Sequence, residues 1–296
     1  MAGLSWWETL APGQGGRGDN AAMRSFPTRA IAVLLIGCLA AAAHGRQPAD
    51  VSGDPAPVAK LVLEPRDGAT LAWAENRLAG PIEVMLHATG DVPPSDPALP
   101  ARATVPARGR TLVARVGPSP ARGAYLNLRA VPGHPNVRTG DVEYGWPLDG
   151  APVRIAQGWG GASSHRDAAN RHAIDLTAPV GTPVVAARDG VVMQVEAGFT
   201  HGAADPRLDG RANFVRVLHD DGTMALYAHL DANGVFVRPG DRVRRGERLG
   251  LSGSTGFSSG PHLHFVVQAN RGMRLESLPF RMFGPGGVLR FHEPGP

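Results

Sequence analysis

The residues best suited to chemistry lie in the second half of this chain. At 262–264 the sequence reads His262-Leu263-His264, followed by the apolar Phe265, Val266 and Val267. A strand turns alternate side chains to the same face. His262 and His264 therefore share one side, while Leu263 and Phe265 enter a core. Gly253, Gly256 and Gly260 precede the pair, and a loop rich in Gly and Ser lets backbone approach a ligand closely. Two imidazoles side by side on a rigid strand suit a metal site or a general base. Two other segments carry matching residue types on apolar strands: His165 with Asp175, and His229 within Tyr227-Ala228-His229-Leu230. Two histidines, an aspartate and a water make a zinc set of the catalytic kind, with one open position. Zinc in such a set lowers the pKa of its water towards about 7. The remaining histidines would then take a proton or stabilise an oxyanion.

Other polar residues have plainer readings. Tyr227 is a core residue whose hydroxyl is within range of the cleft. Asn213 either holds a loop by hydrogen bonds or is a plain surface residue, His219 belongs to the turn before Asp220-Asp221-Gly222, and His201 and His87 are surface and strand-face residues. Gly181-Thr182-Pro183 is turn chemistry after Asp175.

The elements that must position these groups are short strands. The 296 residues are enough for two domains, and abundant Gly and Pro with few aromatics favour strands and turns over long helices. The expected fold class is all-β: a small immunoglobulin-like β-sandwich, then an antiparallel β-sheet domain. Residues 58–131 carry alternating runs such as Ile82–Leu86 and Thr111–Val116, separated by Gly, Pro and Asp turns. This accessory domain shows no chemistry of its own. After a linker at 132–152, the domain at 153–283 carries about seven strands with explicit turns, among them Asp189-Gly190, Asp221-Gly222 and Pro239-Gly240. Residues 199–211 read as a mobile polar loop, and 284–296 as a flexible tail.

The formal charge of +4 is spread out and carried almost entirely by arginine, Lys60 being the only lysine. No basic block with interleaved aromatics marks a nucleic-acid surface. Residues 1–45 read as an extension plus an export signal: Arg24 and Arg29, then an apolar run from Ala30 to Ala43, too short to span a bilayer comfortably. Met23 is the expected true start. Cleavage near Ala43 or Gly45 would release the protein; alternatively Leu35-Ile36-Gly37-Cys38 is a lipobox, with membrane attachment through lipidated Cys38. Residues 46–57 form a linker. Cys38 is the only cysteine, which excludes a disulfide or a cysteine nucleophile in the mature domains. The expected location is periplasmic or secreted, and the expected state a monomer.

Three motifs occur in order: Ala173-Ile174-Asp175-Leu176-Thr177-Ala178-Pro179-Val180-Gly181-Thr182-Pro183-Val184, then Tyr227-Ala228-His229-Leu230, then the Gly253-Ser254-Thr255-Gly256 loop leading to Gly260-Pro261-His262-Leu263-His264-Phe265. Over roughly residues 150–270 they resemble the lysostaphin/LytM-type zinc metalloendopeptidases, which cut the peptide cross-links of bacterial peptidoglycan. The resemblance implies Zn2+ held by a histidine, by Asp175 and by His264, with His229 and His262 catalytic. The family places its first histidine four residues before the aspartate; here that position is Arg171, which stays protonated and cannot ligate. His165 in its Gly/Ser loop is the expected replacement. His172 is the alternative, although an odd offset from Asp175 along a strand would turn it to the opposite face. Two other readings compete. One is an inactive relative that binds wall or activates another hydrolase. The other is a carrier domain, suggested by the hairpin at 238–247 but lacking a lysine to modify.

Overall fold

Period-two alternation in the strand carrying the two histidines sets the geometry around it. The computed structural model describes residues 56–118, 125–150, 154–284 and 286–291. Cys38, the signal-like segment and nearly all of the first linker lie outside the described residues.

The first β region contains β1 (Ala59–Arg66), β2 (Ala69–Asn76), β3 (Ile82–Thr89), β4 (Ser95–Asp96), β5 (Ala101–Val105), β6 (Arg110–Val116) and β7 (Tyr125–Pro132). They form two sheets, ordered β1-β2-β6-β4 and β5-β3-β7. Alternate residues of β3, Ile82, Val84 and Leu86, are fully buried and share a cluster with Ala72 and Ala74 of β2 and Val113 of β6. Met193 and Met224 of the second region belong to this same cluster. Polar contacts reinforce that seam. The Ala79 N–H donates to the Met193 carbonyl at 2.9 Å, and Asn270 Nδ2 donates to the Gly133 carbonyl at 3.0 Å. Buried Glu83 pairs with Arg102 and accepts from the Met273 N–H at 2.6 Å.

The second region continues with β8 (Glu143–Gly145), β9 (Arg154–Gln157), β10 (Ile174–Thr177), β11 (Pro183–Val185), β12 (Gly190–Glu196), β13 (Gly202–Ala203), β14 (Phe214–Leu218), β15 (Met224–Ala228), β16 (Leu230–Val235) and β17 (Arg242–Val243). It ends with β18 (Arg248–Ser252), β19 (Gly256–Phe257), β20 (His262–Asn270), β21 (Leu275–Ser277), β22 (Arg281–Gly284) and β23 (Gly287–Arg290). Its main sheet runs β17-β12-β14-β15-β20-β10-β9, with β21 pairing β20, and is antiparallel throughout. A smaller sheet, β11-β18-β16, supplies Val184, Leu249 and Val235 to a core shared with one face of the main sheet. Leu263, Phe265 and Val267 of β20 enter that core beside Tyr227 and Ile174. Burying a side chain the size of Phe265 stabilises the fold by about 1.5–3 kcal/mol. Parity then obliges His262 and His264 to face the other way.

Register completes the arrangement. Phe214 pairs with Ala228, Ala228 with His264, and His264 with Asp175, so one row crosses four strands. The described residues are thus all-β apart from one 3-10 turn at Pro206–Leu208, and two pairings are parallel, β13 with β19 and β22 with β8.

Three stretches are more structured than their composition implies. The polar 199–211 segment contains β13 and the 3-10 turn, and is tied down by Asn213, whose Nδ2 donates to the Phe199 carbonyl and whose Oδ1 accepts from the Phe199 N–H. The 132–152 stretch contributes β8, whose Tyr144 is buried against Phe265 and Phe280. The chain from 281 to 290 forms a hairpin on β8 rather than a loose end.

Candidate metal centre and cleft

The metal-binding residue types converge at the centre of the polar face of the main sheet. His165, Asp175 and His264 place one ligand atom each within 4.8 Å of one another, and all three residues are buried. Asp175 Oδ1 lies 3.2 Å from His165 Nε2 and 2.9 Å from His264 Nδ1. Asp175 and His264 meet because β10 and β20 pair in register. His165 arrives from a series of turns between β9 and β10, its N–H bonded to the Gly161 carbonyl at 3.1 Å.

The second nitrogen of each ring fixes which lone pair faces the cluster. His165 Nδ1–H donates to the Gly158 carbonyl at 2.8 Å, which leaves Nε2 towards Asp175. His264 Nε2–H donates to Asn170 Oδ1 at 3.3 Å, which leaves Nδ1 towards Asp175. Asn170 is oriented in turn, because its Nδ2 donates to Asp167 Oδ2 at 2.9 Å. Gln157 Nε2 donates to the other carboxylate oxygen, Asp175 Oδ2, at 3.2 Å. Two nitrogen lone pairs and a carboxylate thus converge with no donor of their own. Only protons or a cation can reconcile them. Without a cation, burial of Asp175 pushes its carboxyl up, but the hydrogen bonds and charge of His165 and His264 outweigh this and hold it well below the carboxylate range. Burial of His165 lowers its pKa, and the bond to Asp175 outweighs that and raises it. Imidazoles whose far N–H is anchored on an oxygen acceptor are the usual form of metal-ligating histidine. This donor set fits a zinc-type ion.

His229 and His262 stand beside the cluster, their rings 4.5 Å apart between centroids. His229 Nδ1–H donates to the Thr255 carbonyl at 2.7 Å, and His262 Nδ1–H donates to the Gly260 carbonyl at 2.8 Å. Each therefore keeps Nε2 for the cleft it lines; His262 Nε2 is 3.9 Å from Asp175 Oδ1. Burial, and then the nearby His262 and His264, push His229 down to about 3, so its imidazole is neutral at pH 7. His229 sits at φ 63, a left-handed conformation that costs a non-glycine residue about 1–3 kcal/mol. That kink ends β15 one residue before His229 and separates it from β16, where the sequence reads as one continuous strand.

His172 is placed elsewhere. Its Nδ1–H donates to the Ser277 carbonyl at 3.0 Å and its ring packs edge-on against Trp159. The parity argument presumed a strand reaching back to 172, but β10 begins at Ile174 and the residues before it form turns. It is tertiary anchoring that turns this ring away. Arg171 contributes its backbone, accepting from the Gly160 N–H at 2.7 Å. Tyr227 is core: its hydroxyl accepts from the Ala187 N–H and does not reach the cleft. Gln157 and Asn170, which orient the cluster, give no signal in sequence, since amides in a loop have many uses. The carbonyls of Gly158, Thr255 and Gly260 give none at all.

The cluster lies in a cleft of ≈ 1030 Å³, walled by the 204–212 segment, the 257–261 loop, and the 163–170 turns. A groove of this size, open along a sheet, admits an extended peptide.

Comparison with known proteins agrees with this geometry. The profile described as Peptidase family M23 matches residues 169–275, a span that holds Asp175, His229, His262 and His264 and begins four residues after His165. The chain is 42% identical over 97 residues to the DD-carboxypeptidase/endopeptidase Mpg of Neisseria meningitidis serogroup B, covering 33% of this chain and 20% of that protein. It is 41% identical over 102 residues to the glycyl-glycine endopeptidase ALE-1 of Staphylococcus capitis, covering 34% and 25%. The matched region thus spans about a fifth to a quarter of these curated relatives. Among solved structures, the catalytic domain of lysostaphin from Staphylococcus simulans aligns at 29% identity over 43% of this chain and 80% of that one, with a TM-score of 0.27. Residues 169–275 thus match the Peptidase family M23 profile, in line with the lysostaphin/LytM-type resemblance of the motifs within that span.

Proposed function

We propose that the chain is an exported zinc metalloendopeptidase that hydrolyses peptide cross-links of bacterial peptidoglycan. The observation that carries this reading is the convergence of His165 Nε2, Asp175 Oδ1 and His264 Nδ1 beside two further imidazoles in an open cleft. The names of similar proteins support the substrate class: a DD-carboxypeptidase/endopeptidase, a glycyl-glycine endopeptidase and, at 39% identity over 93 residues, the peptidoglycan DD-endopeptidase ShyA of Vibrio cholerae.

In this reading His165, Asp175 and His264 hold the zinc. When bound, it supplies a water acidic enough to ionise near neutral pH and a Lewis acid for the peptide carbonyl. The chain's own residues do the rest. His229, neutral at pH 7 and fixed by the Thr255 carbonyl, offers Nε2 to accept a proton from the attacking water. His262, fixed by the Gly260 carbonyl, offers a second Nε2 beside it, and the proton taken from the water by this imidazole pair is the one returned to the leaving amine. Gln157 and Asn170 hold the aspartate and one histidine in place.

The β1–β7 region is in this reading an immunoglobulin-like accessory sandwich that positions the peptidase domain. Work on the wall requires export, which agrees with the signal-like segment before residue 46; the protein then acts in the periplasm or outside the cell. The test is release of soluble muropeptides from purified sacculi by the zinc-loaded chain. His229→Ala and His262→Ala should each slow release by about 100- to 10,000-fold while keeping the metal. Intact sacculi with the wild-type protein would refute the proposal.

A further inference from the structure

Arg216 is an anomaly on the polar face of the main sheet. It is 7% exposed, yet it lines the cleft. Its Nη1 donates to Gln268 Oε1 at 3.0 Å, and Gln268 is itself held because its Nε2 donates to the Ala169 carbonyl at 2.9 Å. Arg216 Nε is buried with no partner, and among the described residues no carboxylate pairs with the guanidinium. Burial alone pushes Arg216 down, to about 10, so it remains a cation at neutral pH. A buried charge without a counter-charge is costly, and folds keep few of them. Histidines apart, Arg216 is the only cation among the residues lining the cleft, where Asp167, Asp175 and Asp209 are the anions.

Its position relative to the metal cluster follows from register. Arg216 pairs with Leu226, and Leu226 with Val266, one same-face step beyond His264. The bond to Gln268 draws the guanidinium across β15 to a point one to two such steps past His264, about 7–13 Å along the strand direction. That is two to four residues of an extended peptide.

We propose that Arg216 is a carboxylate receptor in the substrate cleft, engaging a free carboxylate of the peptide two to four residues from the bond that is cut. The inference deepens the endopeptidase reading and rests on it for the nature of the ligand. A guanidinium pre-oriented by Gln268 offers its remaining N–H groups to a carboxylate, and with the guanidinium itself largely shielded from water a charge-assisted pair of this kind discriminates strongly against an uncharged amide. The carboxylate has two possible sources, a chain terminus or a side chain.

The experiment uses the zinc-loaded full chain and a cross-linked muropeptide dimer in four forms: free carboxylates, terminal carboxyl amidated, side-chain carboxyl amidated, and both amidated. Binding is measured by calorimetry and cleavage by chromatography. Wild type should bind the free form about tenfold to a hundredfold more tightly than the doubly amidated form, and one singly amidated form should account for the loss and so identify the source. Arg216→Met should bring the free and amidated forms within about twofold of each other, with zinc content unchanged and Tm equal to or above wild type, since an unpaired buried charge has been removed. Equal binding of free and amidated dimers by wild type would overturn the proposal, whether or not Arg216→Met folds. So would an Arg216→Met protein that still discriminates. Failure of wild type to cut a dimer that it binds selectively would count against the peptidase reading and leave the receptor standing.

Discussion

Asn170→Ala tests whether the cluster is built as a metal site or is merely a polar contact. Asn170 touches Asp167 and His264, and of the three convergent residues it reaches only His264, accepting Nε2–H at 3.3 Å. With that acceptor gone, the His264 proton is free to move to Nδ1, the nitrogen that faces Asp175, and the ring loses its fixed plane. Loss of such an outer partner lowers metal affinity by about 10- to 100-fold, or about 1.4–2.8 kcal/mol. The site is at the edge of the cleft rather than in the core, so stability should fall by no more than about 1–2 kcal/mol. Zinc affinity is read by competition with a chromophoric chelator, with Tm measured on the metal-free protein as a control for folding. An affinity within about twofold of wild type, on a protein of unchanged Tm, would refute the claim that Asn170 sets the His264 tautomer.

Four further outcomes are expected. His229→Ala should lower the rate of wall-peptide cleavage by about 100- to 10,000-fold while zinc stoichiometry holds, because its Nε2 is the proposed proton acceptor and is not part of the convergent set; steady-state kinetics with metal analysis checks both. Acid should weaken the fold through His219, whose buried ring donates to the Asp189 carbonyl and is pushed by burial down to about 4. The unfolded state then binds the extra proton first, so stability is full above about pH 6.5 and falls by at most about 1.4 kcal/mol per pH unit down to about pH 4; the Tm–pH slope in that window should flatten in His219→Gln. Phe265→Ala should cost about 3–5 kcal/mol by denaturant titration, since the ring is fully buried and touches Tyr144, Tyr227 and Phe280. Gly202→Ala should free the cleft-lining 199–211 segment to proteolysis, because a Cβ there would meet the Ser254 carbonyl oxygen at 1.6 Å.

Much of the central sheet is legible in sequence because alternation and register are local properties. His262-Leu263-His264 in an apolar run declares which side of β20 is core, and Tyr227-Ala228-His229 declares its neighbour. The all-β class follows from short runs and turn residues. What sequence does not carry is anchoring by distant backbone. His172 looks like a ligand candidate three residues from Asp175, and only the Ser277 carbonyl and the Trp159 ring reveal that it turns away. The break at His229 is equally hidden, since nothing in Ala-His-Leu demands a positive φ. The 199–211 segment reads as loose from composition, yet a single buried asparagine, Asn213, staples it. Arg216 sits in an apolar strand with no motif around it, and its meaning depends on knowing that no carboxylate among the described residues pairs with it.

The most direct test of the account is zinc per chain on purified protein, wild type beside His165→Ala and His172→Ala, with muropeptide release followed in the same samples. The account predicts one zinc per chain and release by wild type, both lost in His165→Ala and both kept in His172→Ala. Zinc and activity retained in His165→Ala, or a wild-type protein that takes up no zinc, would contradict it.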